Sequence, residues 1–230
     1  LQELKSPIYY AVQKDIDIRT GGPTLIDFDM QRISQRINII LNIRTEGDIK
    51  KEDLLPPIIE LSGACGHFNI SEACLDTTRL YRMVHQAQPD EFTQTGENTY
   101  RCVVHFHTLG VIPSAAKGHL NGPGILQVAL QVSANRLDAS GAPVLDQDGK
   151  PVKNSRYIYG AINPYDELTA AQLIEVRDGK TYLRYSKDDV NIEITSPLVI
   201  KADQIVSDDT GMGWQPNDPT NPDDDIIIEI

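Results

Sequence analysis

Cysteine is scarce in this 230-residue sequence, which contains only Cys65, Cys74 and Cys102. Their odd number and the absence of a CxxC spacing argue against a disulfide framework, and favour a reducing compartment or indifference to redox conditions. No apolar run approaches the roughly 20 residues that a transmembrane helix needs, so no membrane contact is expected. A chain of this length can bury a substantial core without such supports.

Basic residues are also in deficit, since 21 Lys and Arg stand against 33 Asp and Glu and give a formal net charge of −12. Residues 207–230 contain seven of the acids and no base. Binding to phosphate backbones depends on Lys and Arg, so no direct contact with nucleic acid is expected. The phosphate-loop, serine-hydrolase and metalloprotease signatures are missing too. We therefore predict no cofactor and no enzymatic activity.

Alternation of polar and apolar residues with a period of two runs through most of the sequence and predicts β-strands. Residues 36–45, 99–109 and 125–132 each place a row of apolar side chains on one face. Residues 30–41 leave an alternative open, because their isoleucines also match a helical stripe. A helix followed by a strand is therefore a second interpretation of that segment.

Turn signals divide the strands into hairpins. Asp178-Gly179 lies between two strand-like runs and is a strong signal for a tight hairpin. Leu137–Lys153 is polar and rich in Gly and Pro, and we interpret it as the tip of a long hairpin that projects from the body. Gly110–Gly124 is a loop long enough to be functional rather than a simple connection.

One helix is predicted, for residues 70–87. Asn69 and Glu72 match a capping box, the apolar residues that follow recur at helical spacing, and Pro89 marks the end. The expected fold class is α+β: mainly antiparallel β and sandwich-like, with one or two packed helices, the projecting hairpin and an extended C-terminal tail. We divide the chain into a β/α region (1–90), an antiparallel β region (91–206) and a tail (207–230).

A possible metal site is suggested by His105 and His107, which point to the same face of a predicted strand. Cys65 and His67 have the same spacing, and His119 lies in the following loop. If these side chains converged, a zinc or iron site would be chemically reasonable. The competing interpretation is a pair of surface or interface histidines, because HxH alone is common and needs further ligands at a defined geometry.

The tail combines a tether that cannot fold alone with an apolar, strand-like end. Residues 207–225 contain three prolines and six aspartates, too little apolar surface to offset their ordering entropy. An unpaired apolar strand recruits other strands, so we predict that the end pairs with a sheet edge, in cis or in trans, by strand addition. The predicted partner-binding residues are Ile226, Ile227, Ile228 and Ile230 in the tail, and Asp148 and Gly149 in the hairpin tip.

The run Asp178–Val206 resembles phage tail and baseplate proteins, in which short strands follow one another through tight turns. The resemblance rests on Asp-Gly-Lys-Thr-Tyr-Leu-Arg-Tyr (178–185) and Asn-Ile-Glu-Ile-Thr-Ser-Pro (191–197). It implies a structural component of a virion, such as a tail, baseplate or tube. The leading hypothesis is a soluble structural protein, in a cytoplasmic assembly or a virion, that binds copies of itself and other subunits. It rests on the projecting hairpin, the acidic tether with its apolar strand-like end, and the absence of a complete catalytic constellation.

Two other functions remain as alternatives. One is a metal-binding domain or metal-dependent enzyme that uses His105 and His107. The other is a single-strand DNA-binding accessory protein whose acidic tail recruits partners, although the body lacks the basic excess that a nucleic-acid groove needs.

Overall fold

The computed structural model of this chain describes residues 7–18, 20–184 and 189–202. The predicted partner-binding residues 226–230, and the tail that carries them, lie outside these ranges. The described residues form β1 (Tyr9–Tyr10), β2 (Gln31–Arg32), β3 (Gln35–Glu46), β4 (Ile58–Asn69), β5 (Cys74–Gln86), β6 (Phe92–Gly96), β7 (Thr99–Thr108), β8 (Leu126–Asn135), β9 (Lys153–Ile162), α1 (Tyr165–Ala171), β10 (Ile174–Arg177), β11 (Lys180–Leu183) and β12 (Asp189–Lys201).

Two large sheets form the body of the protein. One has six strands in the order β10-β11-β5-β4-β8-β9, and the other has four in the order β12-β3-β7-β6. A small third sheet joins β1 to β2. Neighbouring strands run antiparallel, except that β12 runs parallel to β3. The predicted class, a mainly antiparallel and sandwich-like α+β fold, is confirmed.

The core lies between the two sheets, and the period-two patterns of the sequence supply it. Alternate residues of β3, β7 and β8 are buried in one apolar cluster, while their neighbours point outward. These buried side chains are Ile37, Ile39, Leu41 and Ile43 from β3, Tyr100, Cys102, Val104 and Phe106 from β7, and Leu126, Val128, Leu130 and Val132 from β8. The alternative of a helix over residues 30–41 is wrong, because β2 and β3 occupy that segment.

The helix predicted for residues 70–87 is also wrong, because β5 occupies most of this segment and pairs with β4. Asn69 does accept hydrogen bonds from the backbone N–H groups of Ser71 (3.1 Å) and Glu72 (3.3 Å), as a helix cap does. These bonds instead close the turn between β4 and β5. The β-branched and aromatic residues of the segment fit a pleated surface, and cross-strand pairing decides the outcome.

The α-helix that the described residues do form, α1, lies elsewhere and follows Pro164. It carries Asp166 and Glu167 in its first turn and buries Leu168. The residues on both sides of Pro197 belong to one strand, β12, whose pairing with β3 shifts register between Ile194 and Leu198.

Both predicted hairpins are present. β8 and β9 pair from Leu126–Ile162 to Asn135–Lys153, and the chain between them continues through isolated bridges such as Leu145–Pro151. Its tip is exposed. At the second hairpin, Asp178 (φ 49°) and Gly179 (φ 72°) both have positive φ, as a type I′ turn requires.

Candidate functional site

His105 and His107 lie on the outer face of the four-stranded sheet, as the alternation of β7 predicts. They stand directly opposite Asn38 and Arg36 of β3. Both imidazoles are half-buried. The pair therefore forms part of a polar sheet face rather than of an enclosed cavity.

A chain of hydrogen bonds crosses this face and fixes one of the two histidines. His105 Nδ1 lies 2.7 Å from Asn38 Oδ1. The Asn38 amide in turn donates to Asn191 Oδ1 of β12, also at 2.7 Å. Partial burial, and then the nearby Arg36 guanidinium, lower the pKa of His105 below its usual value. The bond occupies Nδ1 and fixes the orientation of the imidazole.

The other ligand candidates do not join this pair. Cys65 and His67 lie on β4 in the six-stranded sheet, and burial raises the pKa of the Cys65 thiol to about 11. The His67 ring instead packs 5.8 Å from the ring of Tyr81. Within residues 7–18, 20–184 and 189–202, no three His, Cys, Asp or Glu side chains are grouped so as to hold a metal ion.

A contact between His85 and Glu91 was missed by the sequence analysis, because His85 lay in the helix that was wrongly predicted for residues 70–87. His85 Nε2 lies 2.8 Å from Glu91 Oε2, and the same oxygen accepts the Gln88 N–H at 2.8 Å. Partial burial acts to raise the pKa of Glu91, but these hydrogen bonds outweigh it and hold that pKa below its usual range. The His85 ring also meets Phe106 edge-on at 6.2 Å. The contact therefore ties β5 of one sheet to the other sheet.

The described residues form two open depressions on the surface, and one of them contains an ion pair. The first, with a volume of about 470 Å³, is lined by polar residues around Lys50 and Glu97. The second, about 340 Å³, contains His67, Glu72 and Lys180. In it, Lys180 Nζ lies 2.9 Å from Glu72 Oε1. The Cys74 thiol in the second depression lies 3.7 Å from Glu72 Oε2, but burial, and then this carboxylate, raise the pKa of the thiol above its usual value. The contact therefore disfavours the thiolate that a cysteine nucleophile needs, and we make no catalytic assignment there.

The predicted long loop, Gly110–Gly124, is fastened to β4. The Ser62 hydroxyl donates to the Gly122 carbonyl at 2.7 Å and accepts the Ile125 N–H at 2.9 Å. The Ile112 N–H donates to the Gly63 carbonyl at 2.9 Å. The loop is thus part of the body at both ends, and its role remains a prediction.

The structure places the predicted contact residues Asp148 and Gly149 at the tip of the β8–β9 hairpin. The side chain of Asp146 accepts the backbone N–H groups of Asp148 (2.9 Å) and Lys150 (2.8 Å). Gly149 has a φ of 76°. These residues shape the turn, and their exposure leaves them available for contact.

An edge for strand addition exists at β9, which pairs only with β8 among the described strands. In β8, the backbone N–H and C=O groups of odd-numbered residues point toward β4; for example, the Gln131 carbonyl accepts the Leu55 N–H at 3.1 Å. The even-numbered residues of β8 therefore bond to the even-numbered residues of β9 that stand opposite them. The backbone groups of odd-numbered β9 residues, such as Ser155 and Tyr157, consequently point toward the open edge. Tyr157 is also 47% exposed.

No helix within the described ranges is long and apolar enough to cross a bilayer.

Comparison with known proteins gives little guidance. No protein-family model matches the sequence, and no curated protein does. The crystal structure of a putative adhesin from Bacteroides ovatus aligns with 80% of this chain, with 8% sequence identity and a TM-score of 0.36. This chain spans 53% of the length of that protein. A TM-score this low carries no argument about fold or function.

Proposed function

We propose that this chain is a structural subunit that assembles with other copies of itself by strand addition, with residues 226–230 as the donor strand. The open edge of β9 is the observation that carries the proposal. In this ten-residue strand, alternation turns the backbone groups of Ser155 and Tyr157 away from β8. An extended segment that adds to such an edge gains main-chain hydrogen bonds, while alternate side chains give specificity.

The flank beside β9 suits an apolar donor. β9 lies over β12, since a Cβ added at Gly160 would come 3.2 Å from Leu198 Cδ1. Ile158 of β9 and Leu198 of β12 are buried there. In an extended donor, Ile226, Ile228 and Ile230 share one face and would continue this apolar layer. Ile227 and Glu229 would face the other way.

The length of the tether permits pairing with a neighbouring copy. The last residue that the structure describes is Ala202. Residues 203–225 could span at most about 75 Å when fully extended. This reach exceeds the width of a sandwich, so a donor can leave its own body and meet the edge of another.

The test is the mass in solution, by light scattering, of the full chain and of a chain that ends at Thr220. We expect a large assembly for the full chain and a folded protein that no longer forms this assembly for the truncated one. An acceptor variant, Tyr157→Pro, removes an outward N–H without removing a β8–β9 bond, and should lower the assembly as the truncation does. If the truncated chain assembles normally, donation by the tail is wrong.

The matched control is Val176→Pro on another edge strand. The Arg184 N–H donates to the Leu173 carbonyl at 3.1 Å, so alternation in the β10–β11 pair turns the Val176 N–H outward as well. This variant carries the same proline on an edge that the proposal does not use, and should assemble like the unaltered chain. Equal losses for the two prolines would show that the β9 edge is not the acceptor.

The narrower identity of a virion subunit rests on the resemblance of residues 178–206. The metal-dependent alternative predicts stoichiometric metal in the purified protein, and the DNA-binding alternative predicts salt-sensitive binding to a labelled oligonucleotide. Either result would replace the structural proposal.

A further inference from the structure

A second contact surface lies in the N-terminal loop, which we define as residues 11–18 and 20–30, between β1 and β2. Its ends are fixed to the body. The Ile33 N–H donates to the Ile8 carbonyl at 2.8 Å, and the Ile8 N–H donates to Ser34 Oγ at 2.9 Å. The described residues of the loop itself contain no helix or strand. Loops of this length are uncommon in a compact domain and are usually functional segments or linkers.

The loop exposes an unusual amount of apolar surface. Leu25 is 87% exposed and Ile18 is 75% exposed. The complete set of exposed large apolar residues in the loop is Val12, Ile16, Ile18, Leu25, Ile26, Phe28 and Met30. Their exposed fractions together equal about four complete residues. Side chains exposed to this extent could supply a substantial part of the roughly 800 Å² that one partner of a stable interface contributes.

The charges of the loop argue against its packing on the same loop of a second copy. Aspartates alternate with the apolar residues, at Asp15, Asp17, Asp27 and Asp29, while Lys14 is the one base among its described residues. Two such loops face to face would oppose like charges at the edge of an apolar contact. The surface that covers the loop should therefore be a different one, apolar and without an acidic excess.

The tip of the β8–β9 hairpin, residues 136–152 between the two strands, comes close to this description. It exposes Leu137 (40%) and Leu145 (57%). Its charged side chains nearly balance, with two bases and three acids: Arg136, Lys150, Asp138, Asp146 and Asp148. Asp138 and Asp146 already accept backbone N–H groups within their own turns. The tip is thus a nearly neutral surface with two exposed leucines.

The N-terminal loop and the hairpin tip lie at opposite ends of the body. The loop adjoins the end of β4, where the Tyr10 ring packs 5.1 Å from Phe68 and Lys14 Nζ lies 3.4 Å from the Ser71 carbonyl. The hairpin emerges beside the start of β4, where Leu54 bridges to Val132. β4 has 12 residues, which corresponds to about 40 Å.

From this placement we propose that the N-terminal loop of one copy docks on the hairpin tip of the next copy. Different surfaces at opposite ends give a head-to-tail contact, which produces a filament or a ring rather than a closed two-fold dimer. The contact shares with the proposed function only the premise of self-association, because it uses neither the tail nor the β9 edge. It also gives the projecting hairpin a partner.

Cysteine cross-linking of the full chain tests the contact. Phe28→Cys places a thiol in the loop, and Leu145→Cys places one in the hairpin tip. The native cysteines are buried, and burial raises the pKa of Cys102 to about 12, so the introduced thiols should react first. Equal amounts of the two variants are mixed under mild oxidation. We expect the mixed dimer to form at least tenfold faster than in a control that pairs Phe28→Cys with Val84→Cys.

Val84 is a fair control because it is 61% exposed and lies on β5, in neither the N-terminal loop nor the hairpin tip. Equal rates with the control, or cross-linking of Phe28→Cys mainly to itself, would overturn the head-to-tail contact. Repeating the experiment in chains that end at Thr220 separates the two proposals. A tail-independent cross-link supports the loop–hairpin contact even if strand donation fails, and loss of the cross-link despite normal assembly refutes the contact.

Discussion

The crossing of β4 with the Gly110–Gly124 loop permits a sharp test of how closely the backbone is packed. Gly124 has a φ of +71°, and a Cβ added there would lie 2.6 Å from Ser114 N and 2.7 Å from Pro113 Cα. Both contacts are with backbone, which cannot rotate away as a side chain can. We therefore expect Gly124→Ala to be strongly destabilising.

The magnitude follows from two contributions. A positive φ costs an alanine about 1 kcal/mol, and forced overlap in a packed region costs about 2 kcal/mol more. The matched control is Gly118→Ala in the same loop, where φ is +81° but no atom lies within 4 Å of the added Cβ. It should cost about 1 kcal/mol, because only the backbone term applies. The predicted difference between the two variants is about 2 kcal/mol.

Urea unfolding of both variants, followed by far-UV circular dichroism, measures this difference through the transition midpoint at an unchanged slope. In thermal unfolding the same difference corresponds to roughly 4–8 °C for a domain of this size. If the two alanines lower the free energy of unfolding equally, within about 0.5 kcal/mol, the crossing is not rigid and the argument from contact distances fails.

Two further predictions concern the titratable side chains. The lowered pKa of Glu91 means that its carboxylate contributes stability above the usual glutamate pKa of about 4.3, and loses it as pH falls through the folded-state pKa. The stability difference between the unaltered chain and Glu91→Gln, measured by urea unfolding from pH 7 to pH 3, should therefore shrink toward acid, and a constant difference would contradict this. His105→Ala and His107→Ala should each cost less than about 1 kcal/mol, since both side chains are half-buried on an outer face. A large fall in the thermal midpoint on removal of metal would instead show that the pair binds an ion.

The sequence predicted those parts of the fold in which local pattern and long-range pairing agree. The isoleucines of β3 and the alternation of β7 fit a strand with one buried face. In the structure these apolar side chains are buried in the core between the two sheets, which stabilises the same arrangement. The Asp178-Gly179 turn was also predictable, because a type I′ turn needs two consecutive positive φ values and favours these residue types. In each case a short segment already carries the physical constraint that the whole structure satisfies.

The β5 segment shows why the remainder was missed. Its residues match a helical stripe, and Asn69 caps backbone N–H groups in either structure. What decides between them is pairing with β4, as at Glu60–Val84, which no local pattern reveals. The error also hid the His85–Glu91 contact, because a helix over 70–87 leaves no reason to bring that imidazole to the turn before β6.

The polar face around His105 illustrates a further limit. That β7 turns two imidazoles to one side follows from its period. The residue opposite His105 is Asn38 and not a third metal ligand. This placement depends on the register of β3 against β7, which the shared core sets. The residue types were therefore predictable, whereas their hydrogen-bond partners were not.

The two proposed contacts use separate surfaces, which matters for how an assembly would form. Strand addition uses the flank at β9, while the loop–hairpin contact uses the two ends of the body, so one copy can make both at once. Once either contact holds two copies together, the second becomes intramolecular and gains from a high effective concentration. Neither contact then needs to be strong alone. Removing either one should consequently reduce assembly by more than the affinity of that isolated contact would suggest.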